Sequence, residues 1–405
     1  MSMLRPGDGW APRPGYTPKG QALGLATAQA ERISYESSVS WIQPGAIAQS
    51  RRSDYARYGL TLLGGAGLLG VLWLIASQAG GALGLLLPTL LALIPLAVVL
   101  GSVIWVDRWE PEPFGLLLTA FLWGAGVSTV VSIVVNTTAS ALAYGATGDP
   151  FDAQSFSAVI SAPVIEEATK GLGVLLIFLI WRRNFDGPVD GVVYAAVTAA
   201  GFAFAENILY FVRYQDTILL TFVLRGVASP FAHIMFTAST GLALGVSATM
   251  RSRQAWVWMT PLGLAGAIGM HAFWNGVVSS NPLSTYFFVE VPLFFGFVGL
   301  VVGLRAAERK TLRLRLLDYA GSGWFVPAEI DMLSTFSGRR LARTWANRLG
   351  PRQGQAMQDF QKAASELANL RRRAMQGHAE ASFQQQERAL LDRVVYARQV
   401  YQGRA

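Results

Sequence analysis

Eight ionisable side chains fall inside long apolar stretches of this 405-residue sequence: Glu166, Glu167, Lys170, Glu206, Arg225, His233, His271 and Glu290. Placing such groups in apolar helices is costly, which makes each of them a functional candidate. The whole chain has three histidines, and two of them belong to this set. Imidazole and carboxylate together are the usual ligands of a catalytic zinc ion, which takes three protein ligands and keeps one position open for water. His233, His271 and Glu206 can supply that set, and Zn(2+) is the expected ion. A further carboxylate, Glu166, can then serve as general base toward water whose pKa the metal has lowered. Glu167 is adjacent and points about 100° away, so the two carboxylates cannot face one atom equally. Lys170 stands at i+4 from Glu166 and i+3 from Glu167, within reach of a charge-compensating pair. Asn275 follows His271 at i+4, on the same helical face, where its amide can meet a developing oxyanion. Arg225 can pair with a carboxylate or reach the outer interface, and the interface is the expectation; Glu290 is expected to be solvated near a boundary, and His378 to be an ordinary surface residue.

The elements that must carry these residues are membrane helices. Hydrophobic residues make up 52% of the chain and charged residues only 14%, where soluble domains carry about a quarter. A span needs about 20 largely apolar residues, and eight stretches qualify: 59–77, 82–106, 114–135, 156–181, 190–212, 219–249, 255–279 and 286–304. The sixth is long for one crossing, which implies tilt or projection from the bilayer. Counted from the cytoplasmic end of their spans, Glu166, Glu206, His233 and His271 all lie about 15–16 residues in, or roughly 22–25 Å at 1.5 Å per residue. Four helices thus bring two carboxylates and two imidazoles to one level, in the extracytoplasmic half of the bilayer.

The basic residues set the orientation. Arg51, Arg52 and Arg57 precede the first span, Arg108 follows the second, and Arg182 and Arg183 follow the fourth. Arg251 and Arg253 follow the sixth, and Arg305, Arg309 and Lys310 the eighth. All fall on one side, which the positive-inside rule makes cytoplasmic, together with both termini. The net charge of +8 therefore reads as topology and contact with anionic lipid, and no nucleic-acid partner is expected. The absence of cysteine excludes disulfides and Cys-ligated metal. Residues 1–57, polar and rich in Pro, Gly and Ser, read as a disordered cytoplasmic arm without a signal peptide. Residues 58–304 form the membrane domain, and 305–405 a basic helical cytoplasmic tail with apolar residues at helical spacing (Leu312, Leu316, Tyr319, Leu390, Val394, Val395). That tail is expected to be a solvated hairpin. Gly241 and Gly245, then Gly263, Gly266 and Gly269, are spaced for close helix packing. The fold class is all-α, a polytopic transmembrane helix bundle of about eight spans.

In order along successive spans, the polar set resembles the PrsW family of bacterial intramembrane proteases, relatives of the CAAX prenyl protease and bacteriocin-processing enzymes. The resemblance rests on E-E-x-x-K at Glu166, Glu167 and Lys170, F-x-x-x-E from Phe202 to Glu206, His233 in FAHIMFTASTG, and H-x-x-x-N from His271 to Asn275. The acidic, proline-bearing D-R-W-E-P-E-P from Asp107 to Pro113 looks like the family's loop. The likeness covers roughly residues 95–305. In the CAAX relatives the second motif ends in histidine, where this chain has Glu206, so the ligand set is richer in carboxylate. The resemblance implies an intramembrane protease in a bacterial cell membrane that cleaves a membrane-anchored protein, such as an anti-sigma factor, near its extracytoplasmic side. Its metallo form uses Glu166 as base with Glu167 in support; a glutamate-activated water without tightly bound metal is the alternative mechanism. A transporter using the Glu–Lys–His set as an ion or proton relay is the rival reading, and it calls for inverted repeats that the sequence does not clearly show.

Overall fold

A computed structural model describes residues 51–404 apart from 110, 279–283, 285 and 380. The proposed arm falls outside the described residues as far as residue 50. From Arg51 onward it is not an arm. The first helix, α1 (Arg51–Gln78), starts there, ahead of the expected 59. No Pro or Gly interrupts Arg51–Tyr58, and Arg57 pairs with Asp54 at i+3, 3.4 Å, so the helix propagates back from its apolar part.

The chain then forms α2 (Leu86–Val106), α3 (Phe114–Thr147), the short α4 (Pro150–Phe156), α5 (Ala162–Ile180), α6 (Pro188–Arg213), the five-residue α7 (Ile218–Phe222), α8 (Ala232–Thr249), α9 (Trp256–Val278) and α10 (Val291–Ala320). No strand occurs among the described residues. Six helical stretches are long and apolar enough to cross a membrane: Ser53–Gln78, Ala82–Val106, Phe114–Thr147, Pro188–Arg213, Gln215–Thr249 and Tyr286–Ala320. The other two expected spans, α5 and α9, have comparable lengths of 19 and 23 residues. They carry site residues, Glu166, Glu167 and Lys170 on one and His271 and Asn275 on the other.

Two compact units divide the chain, Ser50–Leu304 and a C-terminal unit from Arg305. In the first, α6 is the central helix, buried along nearly its whole length from Val189 to Val212. Val193, Tyr194 and Val197 of α6 share a core with Val174, Ile177 and Phe178 of α5 and Leu244 of α8. The outward faces of α1 and α2 are also apolar, with Leu62, Leu69, Trp73, Leu87 and Ile94 exposed. Helices apolar all round are those of a membrane or a deep core.

Glycine sets the closest approach. A Cβ on Gly241 of α8 would collide with the backbone oxygen of Gly191 on α6, and a Cβ on Gly191 would collide with that of Gly241. Gly245 meets Gly187 in the same way, and Gly263 of α9 meets Ser239 and Ala243. Gly266 makes only ordinary contact and Gly269 none, so the expected glycine face is used over part of its length.

The long sixth span is not one helix. After α7 the backbone widens into a π-helical turn, Val223–Ala228, and breaks at 229–231 before α8 begins. Pro230 has no N–H to offer a helical ladder. The break lies between Arg225 and His233.

The C-terminal unit is more than a hairpin. Beyond α10 it contains α11 (Pro327–Leu333), α12 (Phe336–Leu349), α13 (Pro351–Met375) and α14 (Phe383–Tyr401). Leu312, Leu316, Phe325, Phe360, Leu367, Val394 and Tyr401 are buried in it. The buried Glu329 carboxylate accepts a two-pronged pair from Arg398, 2.7 and 2.9 Å, and a third hydrogen bond from the Tyr401 hydroxyl at 3.2 Å.

Candidate active site

The site begins with a proline. Pro163 cannot donate to the helical ladder, and the turn before it, Ser157–Ser161, is π-helical. The Ala158 carbonyl is met instead by the Asn275 side chain of α9, which donates to it at 2.8 Å. Sequence spacing aims Asn275 at an oxyanion. In the structure it ties α9 to this widened turn.

Below the turn, α5 buries both of its glutamates. Glu167 is held on every side: Lys170 Nζ lies 2.5 Å from Oε1, His271 Nδ1 lies 3.0 Å from the same oxygen, and the Thr237 hydroxyl donates to Oε2 at 2.8 Å. Lys170 and Glu167 are both 0% exposed, and the Lys170 ammonium sits 4.4 Å from the Phe202 ring centre. The expected Lys170 pair therefore forms with Glu167.

On α6, Glu206 lies against one member of the expected metal set, His233, and against Arg225. Its Oε2 lies 2.9 Å from His233 Nε2 and also accepts from the Arg225 guanidinium. Arg225 does not reach for an interface. It turns inward, its Nε donating to Asn207 Oδ1 at 2.9 Å and its guanidinium lying 4.1 Å from the Tyr210 ring centre. Glu290, expected to be solvated, is buried in the π-helical turn Tyr286–Glu290.

Glu166 occupies the middle. Its Oε1 accepts a long hydrogen bond, 3.5 Å, from Asn136 of α3, whose own oxygen accepts from Ser161 at 2.8 Å. Glu166 Oε2 has no hydrogen bond and lies 4.0 Å from His271 Nε2. His233 Nδ1 is likewise buried and without a hydrogen bond. The two imidazole rings meet edge to face, centres 5.3 Å apart. Glu166, His233 and His271 each offer one ligand atom, and these three atoms lie within 4.8 Å of one another.

The four residues expected at one level do meet, but their parts differ from the sequence-based assignment. The three residues whose ligand atoms converge are Glu166, His233 and His271; Glu206 contacts His233 and Arg225. A divalent cation fits this set. Glu/His/His is a catalytic zinc donor set, and each histidine has its far nitrogen against a carboxylate, Glu206 for His233 and Glu167 for His271, the usual support of a metal-bound imidazole. Asn136 and Thr237 escaped the sequence reading, although Thr237 stands at i+4 from His233, on the same face, and Asn136 is a lone amide in an apolar run.

An all-helical bundle with apolar outer faces and a buried carboxylate–imidazole cluster defines a multi-pass membrane protein. The family described as PrsW family intramembrane metalloprotease matches residues 112–314, half of the chain, and the chain belongs to that family. The match begins at the end of the Asp107–Pro113 loop and takes in all the site residues. Protease PrsW of Clostridioides difficile (strain 630) is 30% identical over 156 residues, 38% of this chain and 62% of that protein. Protease PrsW of Geobacillus kaustophilus (strain HTA426) is 29% identical over 153 residues, 38% of this chain and 63% of that protein. Protease PrsW of Bacillus subtilis (strain 168) is 23% identical over 194 residues, 48% of this chain and 84% of that protein. The chain thus spans less than two thirds of the length of the first two relatives. No solved structure matches it.

Proposed function

We propose that the protein is an intramembrane protease that hydrolyses a peptide bond of a membrane-anchored protein at a Glu166–His233–His271 centre. One observation carries this reading. Each imidazole has one nitrogen against a carboxylate, His233 Nε2 on Glu206 at 2.9 Å and His271 Nδ1 on Glu167 at 3.0 Å. A carboxylate accepts, so the proton of each neutral ring belongs on that side, and the other nitrogen carries a lone pair. Two such lone pairs in a cluster with the Glu166 carboxylate suit a cation better than an oxyanion.

Glu166, His233 and His271 would hold the divalent ion, with zinc the ion that this donor set favours. Such an ion lowers the pKa of bound water and polarises a carbonyl. The chain's own groups do the rest. Glu166 has two oxygens with about four acceptor sites, so it can both hold an ion and take the proton of the attacking water. It then returns that proton to the departing amine, leaving a free carboxyl end and a free amino end. Glu167, fixed by Lys170 and Thr237, keeps the His271 ring from turning. The apolar packing around the centre excludes bulk water.

The basic residues beside the spans support eight crossings with both termini in the cytoplasm, which puts the centre nearer the extracytoplasmic side. An anti-sigma factor anchored by one span is the substrate class to try first. The test is cleavage of such a single-span protein by the reconstituted enzyme and by Glu166→Gln, with metal content measured in parallel. General-base assistance is worth about 10²–10⁴-fold, so the variant should lose cleavage by that factor while remaining folded. An active Glu166→Gln variant ends the reading. A parent that works at full rate without metal and in chelator moves the mechanism to a water activated by Glu166 alone.

A further inference from the structure

Two charged members of the polar set, Arg225 and Glu290, have no part in the hydrolysis, and only Arg225 touches the other members. Arg225 sits in the π-helical turn Val223–Ala228, on the far side of the helix break from His233. We propose that Arg225 is a positioning residue: it pins Glu206 against His233 and so fixes the ring that the centre needs. This rests on the proposed Glu166–His233–His271 centre and adds to it the device that aims one of its ligands.

The geometry is specific. Arg225 and His233 Nε2 share a single carboxylate oxygen, Glu206 Oε2. The guanidinium is itself held at three places on α6, by Glu206, by Asn207 Oδ1 at 2.9 Å, and over the Tyr210 ring at 4.1 Å. These partners lie at i, i+1 and i+4, so they present one side of one helical turn. A planar fork with several fixed donors matches that arrangement; the single ammonium of lysine does not. The rest of the half-helix that carries Arg225 is held by apolar contact alone, Ile218 and Phe222 packing against the core of Ile208, Phe211 and Val212. No residue of α7 is buried, Gly226 alone is buried in the π turn, and Leu219, Leu220, Val223, Leu224 and Val227 are exposed. Arg225 is thus the main polar tie between this segment and the core, and the tie ends on the carboxylate that orients His233. The aim of the ring then depends on where the half-helix lies.

The test is a double-mutant cycle on the full chain in micelles, combining Arg225→Met with Glu206→Gln, with Arg225→Lys as the conservative variant. Zinc is the probe, and its affinity is read by competition with a chromogenic chelator. KM and kcat for a single-span substrate are measured alongside. Loss of an outer partner of a metal-bound histidine lowers affinity about 10–100-fold. Arg225→Met should therefore lower zinc affinity by that factor and kcat with it, leaving KM within about twofold. Arg225→Lys should recover only part of the loss. In the Glu206→Gln background, Arg225→Met should add less than about a further twofold, because the arginine acts through the glutamate. That double variant leaves no unpaired charge, so it also guards against simple misfolding. Parent-like zinc affinity and kcat in Arg225→Met, or an undiminished second loss in the Glu206→Gln background, overturns the proposal. If the parent binds no zinc and resists chelators, the metal reading fails by itself; the kcat cycle still decides the role of Arg225.

Discussion

Lys170 and Glu167 allow the sharpest stability prediction. Both are completely buried and their charged atoms are 2.5 Å apart. At an effective dielectric constant of about 20, unit charges at that separation attract by roughly 7 kcal/mol. Removing each ion from water costs several kcal/mol, so the intact pair is near break-even. Taking away one partner exposes the cost. Lys170→Met leaves a buried carboxylate whose remaining neighbours, Thr237 and His271, bring no fixed positive charge, and it should lower unfolding free energy by about 3–5 kcal/mol. Adding Glu167→Gln removes the orphaned charge, and the double variant should return to within about 1 kcal/mol of the parent. Restored stability should not restore cleavage. A neutral amide in place of the Glu167 carboxylate is a poorer anchor for His271 Nδ1, and a lost anchor of this kind typically costs about 10–100-fold. Unfolding in mixed micelles with rising dodecyl sulfate, followed by circular dichroism, reads the stability, and substrate cleavage reads the rest. A Lys170→Met variant as stable as the parent, or a double variant no better than the single, refutes the reasoning.

Ligand and orienting residues should separate in metal titrations. His233→Ala or His271→Ala should abolish stoichiometric zinc, whereas Glu206→Gln should weaken it about 10–100-fold without removing it; equal losses in all three would restore Glu206 to the ligand set. Topology reporters fused after Trp181 and Arg251 should report cytoplasm, and one near Thr147 the outside; a cytoplasmic signal at Thr147 breaks the eight-span arrangement. Outside the spans, burial pushes the Asp107 carboxyl up to about 6, against the pull of the Glu112 N–H that donates to it at 2.9 Å. Its folded pKa exceeds the unfolded value, so the contribution to stability is complete below about pH 4 and lost as pH rises through about 6. Asp107→Asn should therefore be more stable than the parent at pH 7.5, by up to about 3 kcal/mol, with the advantage vanishing near pH 4. An advantage that does not change with pH contradicts the assignment.

Much of the site could be read as height along helices. The positions of Glu166, Glu206, His233 and His271 within their apolar runs put them at one level, and in the structure they do meet. Rotation about each helix axis was not legible. An apolar run in lipid has little amphipathic face to orient it, and the π-helical turns at Ser157–Ser161 and Val223–Ala228 each insert extra backbone just before or around a site residue. That is why Glu166 rather than Glu206 completes the triad, and why Arg225 faces inward. The helix break at 229–231 could have been suspected from Pro230 together with the excess length of the sixth span. The contact between Asn275 and Ala158 could not, since it depends on a carbonyl freed by Pro163 on another helix.

The glycine crossing of α6 and α8 lies far from the chemistry, yet it governs how well the site is aimed. Gly241 is eight residues from His233, about 12 Å along the helix, and Glu206 meets His233 at the other end of the same antiparallel pair. In most tight helix pairs a larger residue on one side can be matched by a smaller one on the other. Here each absent Cβ is blocked by the partner's backbone oxygen, which no substitution can shrink. The crossing therefore behaves like a notched gauge: it admits one register, and a slip of a single residue, about 1.5 Å, would jam at the notch before it could spoil the aim of His233. Drift at these glycines should be closed to compensation, even though neither touches a reacting group.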